Sequence, residues 1–210
     1  MKKYEKYQIL KSQADQTGGV FSSLQAEEAG FKKQHHHLKI KSGTWERVGY
    51  GLYRFADADE AMSEIGAALL WTKKRGVLDI EGAISHGAAF HLWDLCEYVS
   101  HSIDISVPFE FRRRTPTPAG VILYFEELSQ KEITQIRGVK QITTPWRTLK
   151  DCYAKKIVTP DYLESFYMRA RSEFLISVDE IAHQTKGLPD DGILFFERLE
   201  RKIQERRSAT

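Results

Sequence analysis

Residues 17–54 read TGGVFSSLQAEEAGFKKQHHHLKIKSGTWERVGYGLYR, and this stretch decides the fold. Gly18-Gly19 stop the helix expected over 3–16, because glycine accepts the left-handed conformation of a helix end. Val20-Phe21 is a short apolar lead-in. Ser22-Ser23-Leu24-Gln25 reads as a capping box, with Ser22 as cap and Gln25 reaching back. A short helix over about 23–29 follows, Gly30 turns the chain, and a third helix is expected from Lys32 to Ser42. The period then changes. Trp45–Val48 and Leu52–Phe55 read as strands around Gly49-Tyr50-Gly51, a glycine-bearing hairpin turn. Short helix, turn, helix and hairpin together predict a winged helix-turn-helix.

Charge follows the same boundary. Residues 1–56 carry ten lysines and arginines against five acids, and the remaining chain carries 21 against 24. A near-neutral total of +2 therefore hides a basic head on a slightly acidic body. A compact basic module suits the dense phosphates of duplex DNA. In a helix-turn-helix the second helix of the pair enters the major groove and meets base edges there. Here that helix is Lys32–Lys41. Setting Leu38 and Ile40 inward at about 100° per residue places His37 with them and turns Lys32, His35, His36 and Lys39 outward. Lys32 and Lys39 are expected at phosphates or guanine, and His35 and His36 at base edges. Gln34 suits adenine, although this face assignment leaves it nearer the packed side. Lys33, Lys41, Ser22 and Ser23 complete the expected DNA-binding set, with Arg47, Tyr50 and Arg54 of the wing on the backbone. The three adjacent histidines diverge around a helix and make a poor metal site.

Beyond an acidic hinge at Ala56–Glu60, a helix is expected over 60–75, then a short buried segment Ile80–Ile84 and a helix His86–Trp93. Strands are expected at Ser102–Val107, Val121–Phe125 and Val139–Ile142, with a turn or short helix at 132–135. Thr144-Pro145 opens another helix, and 160–176 and 191–206 read as amphipathic helices. The expected fold class is α+β. A winged helix-turn-helix over 1–56 precedes a small mixed α/β domain over 57–210 with a helical C-terminal tail. Trp71, Trp93 and Trp146 are expected in the core of that second part.

Other chemistries fare worse. No apolar run approaches the roughly 18–20 residues of a membrane span. The N-terminus has a basic start without an apolar h-region, which is not a secretory signal. Two cysteines, Cys96 and Cys152, form no Cys-x-x-Cys and suit a reducing cytoplasm. Ser85-His86 with His91 and Asp94 lacks a nucleophile elbow, and His86 and His91 are poorly spaced for a shared metal. Asp104 with Glu110 is an incomplete nuclease set, followed by arginines where a lysine is wanted. There is no Walker A, Gly-x-Gly-x-x-Gly or His-Glu-x-x-His motif. No catalytic residue, cofactor or metal is expected. Arg112-Arg113-Arg114 beside prolines reads as a stiff anion-binding loop, set against an acidic protein surface, against DNA, or simply in solvent.

An ordered series of motifs resembles one family. Lys41-Ser-Gly-Thr-Trp-Glu-Arg-Val48 and Gly51-Leu-Tyr-Arg54 come first. They are followed by Ile84–Ala89, Ile103–Pro108, Arg112–Arg114 and Gly138–Ile142 with Thr143–Asp151. The set is similar to the AbiEi-like antitoxins of type IV toxin–antitoxin systems, which act in abortive infection of phage-infected bacteria. The resemblance covers roughly Thr17 to Ile157. It implies a two-domain bacterial protein whose head binds inverted repeats in its own promoter and represses transcription. It implies a body that neutralises a cognate nucleotidyltransferase toxin. The alternatives from the residues themselves are a nucleic-acid enzyme with a nuclease-like body and a stand-alone regulator with a ligand-sensing body.

Overall fold

The computed structural model describes residues 3–74, 76–183 and 188–208, in a mixed α+β arrangement with two sheets. The chain divides into two compact units, residues 1–84 with 105–142, and residues 85–104 with 143–210. The segment 1–56 lies wholly within the first.

The first unit opens with α1 (Lys3–Ala14), β1 (Val20–Ser22) and α2 (Ser23–Glu28). A 3-10 turn at Lys33–His35 runs into α3 (His36–Lys41), and β2 (Trp45–Gly49) and β3 (Leu52–Phe55) follow. The capping box forms: the Ser22 hydroxyl accepts the Gln25 N–H and the Gln25 side chain accepts the Ser22 N–H. The apolar lead-in is itself a strand. β1 pairs antiparallel with β3, giving a sheet of order β1-β3-β2. Leu10, Ala14, Phe21, Ala26, Ala29, Trp45 and Phe55 form the core beneath it. Trp45 is its hub, with ring centroids 4.8 Å from Phe21 and 5.2 Å from Phe31.

The acidic stretch after β3 ends in a cap. The Asp59 carboxylate accepts the Met62 N–H at 2.8 Å and starts α4 (Glu60–Trp71). α4 lies directly on the turn that ends α1. A Cβ at Gly66 would sit 1.9 Å from Thr17 O, so only glycine permits this approach. Ser63 Oγ donates to Gly18 O at 2.8 Å across the same seam. The second sheet contains β4 (Ala83–Ile84), β5 (Ile103–Val107), β6 (Val121–Phe125), β7 (Ile133–Ile136) and β8 (Val139–Thr143). Its order is β6-β5-β4-β8-β7, with β4 antiparallel to β5 and parallel to β8. Of residues 132–135, expected as a turn or short helix, Glu132 ends a 3-10 turn (Gln130–Glu132), while 133–135 belong to strand β7. Two β-branched isoleucines flank Thr134-Gln135, and Arg137-Gly138 turns the chain straight into β8.

The second unit is helical: α5 (His86–Leu92), α6 (Pro145–Ala154), α7 (Pro160–Ser172), α8 (Val178–His183) and α9 (Asp190–Ser208). Thr144 caps α6 and Pro145 occupies its first turn, as the sequence suggested. These helices build an aromatic core of their own. Phe90 stacks on Phe166 at 4.3 Å, and Trp146 meets Phe196 edge-on at 4.9 Å. Trp146 is fully buried, while Trp71 and Trp93 are half-buried. A buried ion pair closes one side, Arg171 Nε to Glu200 Oε1 at 2.7 Å, and Tyr167 Oη donates to the same oxygen. Among the described residues no helix is long and apolar enough to cross a membrane.

Candidate nucleic-acid interface

The third helical segment is shorter and tighter than its sequence suggests. Its first turn is 3-10, about 120° per residue rather than 100°. This advances the inward position to His36, which is 3% exposed. His36 packs edge-on against Trp45 at 5.4 Å and Tyr53 at 5.6 Å. Its Nε2 lies 3.1 Å from Phe31 O, and since a carbonyl only accepts, Nε2 carries the proton. The expectation that His36 meets base edges is therefore overturned: the ring anchors α3 to the core. Leu38 and Ile40, expected inside, are 51% and 37% exposed, and His37, expected with them, is exposed too. The space beneath the segment is already filled by Phe31, Trp45 and His36, so α3 has no room to bury its aliphatic residues.

The surface left by this rotation is interrupted in sequence only by His36 and Lys39. Lys32, Lys33, Gln34, His35, His37, Leu38, Ile40 and Lys41 are all exposed. Gln34 faces solvent, beside the His35 ring at 3.4 Å, rather than the packed side. Lys39 is half-buried, with its ammonium 5.5 Å from the centre of the Phe31 ring. A lysine stem lying on apolar surface with a free head still offers its charge to an anion.

The hairpin stands beside this face. Tyr50 at its tip is 94% exposed, and Arg47 is exposed with its Nε donating to Gly49 O. Arg54 is committed elsewhere: its Nε donates to Glu46 at 2.7 Å, and its Nη2 lies 3.7 Å from Glu60. Ser22 is buried and its hydroxyl is consumed as a cap, so it offers nothing outward. The Ser23 N–H and hydroxyl both reach Gly51 O, tying the start of α2 to the hairpin turn. The face can place ammonium groups at phosphates, amide and imidazole nitrogens at base edges, and aliphatic groups at thymine methyls.

The Arg112–Arg114 loop is also exposed, yet most of its charge is braced. Arg112 Nη1 donates to Phe109 O and Phe111 O at 2.8 and 2.7 Å. Arg113 donates to Lys73 O at 3.1 Å and lies over the Trp71 ring. Trp71 in turn donates to Thr115 Oγ1 at 3.0 Å. Arg114 makes no such bond among the described residues.

The Ser85-His86 region is closed to solvent. Both residues are fully buried, with Ser85 Oγ 2.9 Å from His86 Nδ1. Burial, with Arg147 and Lys155 adding repulsion, drives the imidazole pKa down to about 3. Asp104, 2% exposed, accepts the Ala88 N–H and the Ser102 hydroxyl. Burial raises its pKa, and those hydrogen bonds oppose the rise. A Cβ at Gly87 would stand 2.9 Å from Asp104 Oδ2, so the carboxylate is seated on the start of α5 as a structural brace. His91 is exposed and bonded to Tyr98 O, and Asp94 is exposed at a positive φ of 53°.

No protein-family model matches the chain, and no curated protein matches it.

Proposed function

We propose that the chain binds duplex DNA as a winged helix-turn-helix regulator and serves as the antitoxin of a type IV toxin–antitoxin pair. The observation that carries the DNA half is the solvent-facing run Lys32–Lys41 on a helix pinned from behind by His36. The element order α1-β1-α2-α3-β2-β3, with β1 against β3, supports α2 and α3 as the helix-turn-helix and β2-β3 as the wing. α3 then lies in the major groove, and Arg47 and Tyr50 flank it on the backbone. The antitoxin half rests on the motif series between Thr17 and Ile157. In it, residues 57–210 counteract a nucleotidyltransferase toxin without catalysis, and the head represses their shared promoter. Two free thiols, Cys96 and Cys152, fit a cytoplasmic protein.

A mobility-shift titration against the DNA upstream of the chain's own gene tests the first half. Tight binding there, with a steep fall as salt rises, is the expected result. Equal affinity for unrelated DNA removes the repressor assignment. Co-expression with the adjacent reading frame tests the second half: growth arrest relieved by this chain supports it, and an adjacent product that is harmless alone removes it.

A further inference from the structure

We propose that the N-terminal part of the chain binds a small aromatic carboxylate in a cavity between α1 and α3. This goes beyond DNA binding and does not depend on it. The cavity holds about 360 Å3 and is lined by Tyr4, Tyr7, Phe31 and Lys39. All four belong to the first compact unit. That volume lies at the small end of ligand pockets, which suits a molecule of one or two rings.

The walls are built in advance. Tyr4 and Tyr7 are three apart on α1 and so share one face. Lys6, between them in sequence, donates from Nζ to Gly30 O at 2.9 Å and ties α1 to the turn that carries Phe31. Tyr7 packs on Phe55 with ring centroids 5.1 Å apart, and Phe31 meets Trp45 edge-on at 5.2 Å, so the core backs both rings. Tyr4, 73% exposed, stands at the mouth.

Charge and ring chemistry select the ligand. Lys39 is the only charged residue of the lining, and among the described residues no carboxylate pairs with its ammonium. That ammonium lies 5.5 Å from the centre of the Phe31 ring. Aromatic faces attract cations, but Lys39 already takes that of Phe31 and repels a second positive charge. An anion is favoured instead. A flat ring attached to it gains edge or offset contacts with the aromatic walls. A carboxylate joined directly to a ring supplies both, and it accepts a charge-assisted hydrogen bond from Lys39 Nζ. An aliphatic carboxylate satisfies the lysine and leaves the rings uncovered, while a neutral ring does the reverse.

Chemical-shift titration of the full chain tests the proposal, with benzoate, benzyl alcohol, acetate and benzylammonium as the probes. Benzoate should bind about tenfold more tightly than each of the other three, the ratio expected when one charge-assisted contact is added to ring burial. Lys39→Met keeps the stem and removes the charge. It should erase the preference for benzoate over benzyl alcohol and leave the alcohol bound as before. Tyr4→Ala should weaken benzoate and benzyl alcohol alike. Benzoate that binds no better than benzyl alcohol or acetate overturns the proposal, as does benzylammonium that binds best or a Lys39→Met chain that retains the preference. If Lys39→Met does not fold, nuclear Overhauser contacts on the wild-type chain decide. Benzoate ring protons should meet the rings of Tyr4, Tyr7 and Phe31, and contacts only elsewhere overturn the site.

Discussion

Lys32–Lys41 and Arg112–Arg114 are both basic runs, and the first leaves Lys32, Lys33 and Lys41 in solvent while the second turns two of its three guanidiniums onto backbone carbonyls. The difference lies in the backbone beneath them. The carbonyls at the end of α3 are taken by the backbone that follows it, Leu38 O by the Ser42 N–H, Lys39 O by Thr44 and Ile40 O by Gly43, so the neighbouring lysines find them occupied. In the arginine loop the carbonyls of Phe109 and Phe111, and that of Lys73 just past α4, accept from the guanidiniums instead. A charge run thus advertises binding only where the local structure has no carbonyls to offer it.

Four variants break or sharpen this contrast. Trp45→Ala should have the largest effect, because it removes the floor on which His36 and α3 rest. Deleting so buried an aromatic costs about 3–5 kcal/mol, read from urea unfolding. A loss below about 1 kcal/mol would show that α3 is held by something other than that core. Next, the triple change Lys32→Glu, Lys33→Glu and Lys41→Glu should leave the unfolding midpoint nearly unchanged. It should flatten the dependence of log affinity on log salt by about 0.9 for each phosphate that is no longer neutralised. An unaltered salt slope would put the two runs on the same footing. Arg112→Ala, which deletes two bonds to carbonyls, should destabilise by about 0.5–1.5 kcal/mol with DNA affinity unchanged. Arg114→Ala should shift stability by no more than about 0.5 kcal/mol, yet weaken rescue in the growth assay with the toxin. If Arg112→Ala weakens rescue more than Arg114→Ala does, the braced arginines and not the unbraced one carry the proposed rescue.

Much of the fold is written in short-range signals. The Ser22–Gln25 box, Asp59 ahead of α4, Thr144-Pro145 and the glycine-bearing hairpin each mark a helix start or a turn within a few residues, and each forms. The alternation of Ile103–Val107 likewise gives a strand. The remainder depends on distant partners. β1 is three residues long and exists because Arg54, Tyr53 and Leu52 lie opposite it. The C-terminal helices look like a tail until Phe90 and Trp146 are seen packed among them. The inward turn of His36 needs both a 3-10 start and an aromatic cluster, and neither leaves a periodic mark. The candidate face was therefore legible as a segment, but not in its orientation.

Thr17 carries one last consequence. It is pressed by Gly66 of α4 on one side and bridges to Val139 on another, while the neighbouring Gly18 N–H donates to Gly138 O at 2.9 Å. Residues 1–56 are consequently not a portable cartridge. A graft of those residues alone onto a foreign protein would strip three supports from a single turn and expose its polar backbone. Any transplant that is to keep its shape must take α4 and the β7–β8 hairpin along.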